Sequence, residues 1–351
     1  ACAVCVVFEK TFFGGTIMRE IIIRNIDNAP NGKEFFADDP NIAMKNLPVN
    51  IIDKIRAYEK QSDMARMTGV DDGEEETVLD LSVKPGMNQG WIGNTDLAAG
   101  TKDRYSGKVM INHFRNKNQL TAIGSVNNVN DNAFPGGGGG FRKGGNGLTA
   151  VKMAGVNFAT ETEKLKTEGS VNFNYKDADI VSKQASETFV SSESSSFKNA
   201  LDHSRNKTTK LVADAFIEWK PDTMTTFVFR PRFSYGKTDN TNGQNSYTFS
   251  QDPGYTTDEL FGTDDLTSLV SEEDIINTVL KNTLKKGDDL TVGGSVLVNR
   301  RLGKLGRNIT FRGKYNYTNS SSEQFSTSET EYFQKTPEPR MDILNRYLTT
   351  H

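Results

Sequence analysis

From Trp91 onward the chain alternates apolar and polar residues with a period of two. In 211–219, Leu211, Ala213, Ala215, Ile217 and Trp219 fall on one face, against Asp214 and Glu218 on the other. In 227–235, Phe227, Phe229, Phe233 and Tyr235 oppose Arg230, Arg232 and Ser234. Val171, Phe173 and Tyr175 oppose Ser170, Asn172, Asn174 and Lys176. Ile309, Phe311, Tyr315 and Tyr317 oppose Thr310, Arg312, Lys314 and Asn316. A strand projects successive side chains to opposite faces, so each segment predicts a strand with one apolar and one polar face. Nine strands are predicted, near 91–100, 104–115, 119–128, 149–159, 165–177, 209–220, 224–236, 289–299 and 308–318.

The connections between these strands carry a second pattern. Those around "NKN", "TETEK", "PDT" and "RLGKLGRN" are short, whereas 130–148, 178–208 and 237–288 are long. Short and long alternate from the third strand on, and the first connection, "TKD", is short as well. A soluble sandwich has no reason to gather its long loops at one end. An outer-membrane barrel does, with short turns on its periplasmic side and long loops outside. Phe and Tyr crowd the strand ends in "FVFRPRFSY" and "KYNYT", as aromatic girdles at two membrane interfaces would.

The first 90 residues read differently. "TIMREIIIRNI" and "ETVLDLSVKPG" predict strands, and residues 40–59 a short helix, a turn, then a strand or helix. This is a small mixed α/β unit. The run "DDGEEE" at 71–76 lacks the carboxylate spacing of an EF-hand and reads as a solvated turn.

Composition narrows the chemistry. Lys and Arg number 42 against 45 Asp and Glu, a balance that argues against nucleic acid as a partner. No stretch approaches the 18 apolar residues of a membrane-spanning helix, a test that a β-barrel escapes because its strands alternate. The two cysteines, Cys2 and Cys5, lack a second pair for zinc, and His113, His203 and His351 are scattered. "FPGGGGGFRKGGNG" at 134–147 fails the phosphate-loop pattern because Gly144, not Ser or Thr, follows Lys143. It reads as a loop between the third and fourth strands. There is no GxSxG and no HExxH, so no catalytic residues, metal ligands or cofactor are assigned.

The stretch 31–84, with "NGKEFFADDP", "KNLP", "YEKQSD" and "TGVDDG" in order, resembles the plug domain of TonB-dependent receptor-like outer-membrane proteins of the Bacteroidetes type. The stretch beginning "GWIGNTDLAAG" and the later "FRPRFSY" resemble the same family's barrel, and the likeness covers about 17–330. The resemblance implies a plug at 1–88 and the first part of a barrel at 89–351, about 22 strands in related receptors. It also implies an outer-membrane location in a Gram-negative bacterium. The activity implied is uptake of an unidentified ligand, with outer-membrane lipid, the TonB complex and a surface lipoprotein as partners. Nine strands fall short of such a barrel, so the expectation is a mainly β fold with an incomplete barrel. The chain is then a fragment or truncated product, not competent to transport alone.

Arg230 and Arg232 would face the barrel lumen. Two roles stay open for them: attracting an anionic ligand, or hydrogen-bonding the plug. The alternative for the whole chain is a surface-exposed β-rich adhesion or carbohydrate-binding protein, which suits its Asn/Ser/Thr-rich loops but not the loop alternation.

Overall fold

The computed structural model describes residues 21–25, 33–34, 52–73, 75–83, 89–115, 117–130, 147–189, 195–303, 307–333 and 340–350. Most of the glycine-rich stretch and both cysteines lie outside them.

The strands form two sheets. The smaller contains β1 (Ile21–Asn25), β2 (Lys33–Glu34), β3 (Ile52–Gln61) and β4 (Glu75–Val83), in the order β2-β1-β4-β3. β1 runs parallel to β4, and the other pairs are antiparallel. The predicted strand-or-helix before residue 59 is thus a strand, β3, while 40–51 lie outside the described residues. A short helix, α1 (Asp63–Thr68), follows β3.

The larger sheet is an antiparallel meander of ten strands in chain order. They are β5 (Gln89–Gly100), β6 (Arg104–Arg115), β7 (Asn118–Asn127), β8 (Leu148–Glu161), β9 (Leu165–Phe189), β10 (Ser195–Trp219), β11 (Thr225–Phe249), β12 (Ile275–Arg301), β13 (Asn308–Tyr332) and β14 (Arg340–Thr350). Each of the nine predicted strands is present, and β14 is a tenth, in a tail that shows little alternation.

The strand lengths correct the predicted loops. Most of 178–208 is strand, leaving only 190–194 between β9 and β10, and 237–288 shrinks to 250–274. The reason is that polar and charged residues occupy both faces of these extensions, so no clear period-two signal exists to read. The ladders of paired backbone groups carry the sheet on without it. At the opposite end all connections stay short: 116–117, 162–164, 220–224 and 302–307. Length asymmetry therefore resides partly in the strands themselves.

The register aligns the apolar faces. Trp219, Ile217, Ala213 and Leu211 of β10 pair with Phe227, Phe229, Phe233 and Tyr235 of β11. These pair onward with Val298, Val296, Val292 and Leu290 of β12, then with Phe311, Gly313, Tyr317 and Asn319 of β13. The result is an outer face whose apolar band runs over 211–219 and 227–235. At about 3.4 Å per residue this is about 27 Å along the strand, the length that spans a bilayer when tilted. Its large side chains remain exposed, Phe311 by 63% and Tyr315 by 64%.

Aromatics mark both rims of the band. At the short-turn end Trp91 stacks on His113 with centroids 4.3 Å apart, and Trp219 on Phe227 at 5.2 Å. At the other rim Tyr235 donates its hydroxyl to Asp288 (3.1 Å) and Tyr175 to Asp177 (3.4 Å). A line of charge follows: Asp177 pairs across the ladder with Lys207, and Lys207 with Asp239. Beyond that line the 250–274 segment folds around its own core of Phe249, Leu260, Val270 and Ile275. Its helix α2 (Thr257–Phe261) is held by a capping box between Thr256 and Glu259. Among the described residues no helix is long and apolar enough to cross a membrane.

Candidate functional site

The inner face of the ten-stranded sheet is the one against which α1 lies. Its side chains come from the polar positions of the alternating pattern. One cross-strand line reads Asn112, Thr121, Asn157, Ser170 and Asp214 from β6 to β10. Thr121 donates to Asn112 Oδ1 (2.5 Å) and Ser170 to Asp214 Oδ1 (2.7 Å). The neighbouring line contains Phe216 of β10, and with it the contact to α1.

The sequence "QSDMARMTG" specifies α1 locally. Ser62 caps the helix, its hydroxyl accepting from the Ala65 N–H (3.0 Å) and donating to Asp72 (2.6 Å). Gly69 closes it at φ +72°, a left-handed conformation that favours glycine, and its N–H bonds to the Ala65 carbonyl. Met64 and Met67, three residues apart, therefore share one side of the helix. They pack on Phe216, Val228 and Leu297 of the sheet wall.

Asp63 and Arg66 flank these methionines and complete the contact. Asp63 Oδ2 accepts from Arg230 Nε (2.9 Å) and lies 2.8 Å from a second guanidinium nitrogen. Arg66 reaches Glu218 Oε2 at 2.7 Å and Asp63 Oδ1 at 3.3 Å. Glu218 also meets Lys220 at 2.5 Å. The Arg230 guanidinium lies over the Phe216 ring, 4.3 Å from its centroid. The charges thus alternate in a chain from Lys220 through Glu218, Arg66 and Asp63 to Arg230. Burial pushes the Asp63 carboxyl up, but Arg230, with Lys60 and Arg66, outweighs it and holds the carboxyl below its usual range.

Two cavities adjoin the contact. One, of about 630 Å³, lies between β3 with α1 and the short-turn ends of β8–β10, lined by Glu59, Arg66, Glu161, Lys164 and Lys166 among others. Lys117 and Glu161 pair at its rim (2.9 Å), and Lys166 pairs with Glu168 (3.0 Å). A smaller one, about 190 Å³, is lined by Ser62, Met64, Arg230 and Arg312. Among the described residues no group of three or more His, Cys, Asp or Glu is placed to hold a metal ion.

Of the two candidate residues, Arg230 is engaged by Asp63. Arg232 shares its face one step along the strand, opposite Asp214. Sequence reading missed Asp63, Arg66, Met64, Met67 and Glu218. The signal available was the Ser62 cap, the Gly69 stop and the i, i+3 methionines between them, which mark a short amphipathic turn but not what it touches.

No family model and no curated protein matches the chain. Among solved structures it is similar to the siderophore receptor PiuA from Acinetobacter baumannii, at 10% identity and a TM-score of 0.18. It is also similar to BauA, the ferric preacinetobactin receptor from Acinetobacter baumannii, at 9% identity and a TM-score of 0.21. Each match covers 90% of this chain and 56% of the other, so the chain spans little more than half the length of these weak structural neighbours.

Proposed function

We propose that this chain is part of an outer-membrane receptor of the TonB-dependent type, with residues 1–88 serving as a plug and 89–351 as barrel wall. One observation carries the reading. The ten-stranded sheet has an exposed apolar outer band of membrane-spanning length between two aromatic rims, and a polar inner face that grips α1 by ion pairs. A water-soluble sheet would cover that band with a second layer. Asp63, Arg66, Arg230 and Glu218 act as a latch that keeps the plug on the wall until ligand binding or an energised partner releases it. Arg230 serves the latch, with its charge neutralised by Asp63, rather than an anionic ligand.

The sheet is used within a larger closed barrel. Between residues 308 and 321, β13 has no strand on its free side among the described residues, because β14 pairs only with 322–332. Phe311, Tyr315 and Tyr317 place that stretch at the depth of the apolar band. Unpaired backbone groups there would each cost several kcal/mol in hydrocarbon, so further strands must pair with them.

The test is membrane fractionation followed by an alkaline wash, then protease treatment of intact cells. The reading expects the chain in the washed outer-membrane fraction, with cleavage within 250–274 and protection of the band. Recovery in the soluble fraction would overturn it.

A further inference from the structure

We infer that the outer face holds one bilayer lipid acyl chain in a groove across β9–β12; this rests on the membrane reading above. The groove has a volume of about 740 Å³, within the range of small-molecule sites, and its open surface is apolar; Ser170, Asp214, Arg232 and Lys314 also border it, but the alternation assigns their side chains to the opposite face. Register builds its floor. Gly169 of β9 pairs with Ala215 of β10, and Pro231 of β11 pairs with Gly294 of β12. The ladder pairs on either side, Asp214 with Arg232 and Ile217 with Phe229, set Ala215 opposite Pro231. Pro231 has no N–H to donate, and the β10–β11 ladder is interrupted there.

Bulky side chains wall this floor. Phe229, Val296 and Phe311 stand toward the short turns, and Phe233 and Val292 toward the charged line. Phe158 closes one end: a Cβ on Gly169 would lie 2.9 Å from its ring, so the glycine is what lets the ring settle. Tyr315, paired with Gly294, closes the other. The three spacings of about 4.8 Å from β9 to β12 give a channel on the order of 15 Å long. It crosses the strands, so in a tilted sheet it runs obliquely through the membrane.

The occupant follows from the position. The groove lies wholly between the two aromatic rims, with Trp219 and Phe227 on one side and Tyr235, bonded to Asp288, on the other. At that depth the surrounding medium is hydrocarbon, and an unfilled apolar channel forfeits dispersion contacts that a flexible chain supplies. Charged side chains on this face begin beyond the rims, with Asp177 and Lys207 at one end and Arg300 at the other, so the site grips the chain and leaves the headgroup to the interface. Its floor, Ala215 and Pro231, lies midway between the two rims, four residues from Trp219 and Phe227 and four from Leu211 and Tyr235.

The experiment purifies the full chain from membranes, exchanges the detergent, and counts retained phospholipid by native mass spectrometry. Wild type is expected to keep one phospholipid per chain. Ala215→Phe, which fills the floor with a side chain the outer face tolerates, is expected to lose it. Ala122→Phe, on the apolar face of β7 outside the groove, is expected to keep it. Equal retention by all three, or none by wild type, overturns the groove. Quenching of Trp91 and Trp219 by brominated phospholipid vesicles tests the membrane reading separately. Quenching without retained lipid sinks the groove alone, whereas absence of quenching sinks the membrane reading and the groove with it.

Discussion

Replacing Arg230 with Ala tests the latch most directly. The substitution removes two guanidinium contacts to Asp63 Oδ2, at 2.9 and 2.8 Å, and the cation–π contact to Phe216. It leaves Asp63 largely covered, with Arg66 at 3.3 Å as its remaining close cation on α1. A hydrogen bond to a charged group contributes about 1.5–3 kcal/mol. The Arg230 side chain keeps 33% of its surface in solvent, so solvent screening argues for the low end of that range. The ring contact adds about 0.5–1 kcal/mol. The net loss is about 2 kcal/mol, or roughly a 30-fold shift toward undocked α1. Hydrogen exchange reads this directly. The Arg66 and Gly69 amides, bonded to the Ser62 and Ala65 carbonyls, are expected to exchange roughly 30-fold faster, while amides of β10–β12 keep their rates. Arg232→Ala, one step along the same face and opposite Asp214 of β10, is expected to leave α1 unchanged. Equal protection in Arg230→Ala and wild type, or an equal loss in both variants, would refute the reasoning.

The latch also has an acid limit. The Asp63 carboxyl is held below its usual range, so its contribution is fully present above about pH 4 and fades as pH falls through the lower, folded value. Asp63→Asn is expected to abolish that part of the acid dependence of α1 protection. Phe229→Lys places a charge inside the apolar band and is expected to cost about 2–4 kcal/mol in folding titrations into vesicles. Asn242→Lys, at an exposed position of the polar extension opposite Ser204 and Thr283, is expected to cost almost nothing, and similar losses from both would show that no lipid faces Phe229. Leu260→Ala empties the centre of the 250–274 core at a cost of about 2–5 kcal/mol. That segment is then expected to become protease-sensitive with the band intact, and concerted unfolding of the whole sheet would contradict a separate local core.

The division between what could be read and what could not follows from which forces leave a periodic trace. Wherever one face of a strand is apolar and the other polar, the alternation names both the strand and its faces. Leu211 to Trp219 and Phe227 to Tyr235 were legible for that reason, and so was the polar side that contains Arg230. The extensions of β9–β13 were not. Polar and charged residues line both of their faces, and backbone pairing with neighbours, which writes no pattern into a single strand, holds them. The tail at 340–350 became a strand in the same way, by pairing with 322–332. The latch lay further out of reach. Ser62 and Gly69 mark where α1 begins and ends, but its partners Glu218 and Arg230 lie 152 and 167 residues along the chain from Arg66 and Asp63. The groove is likewise a product of register, since Gly169, Ala215, Pro231 and Gly294 become neighbours only once the ladders align them. By itself the sequence determined which faces are apolar and where the short turns fall, because burial and turn geometry act on adjacent residues. Only the tertiary structure decided how far the strands run, what holds α1 and which small residues meet, because those depend on partners that local sequence does not encode.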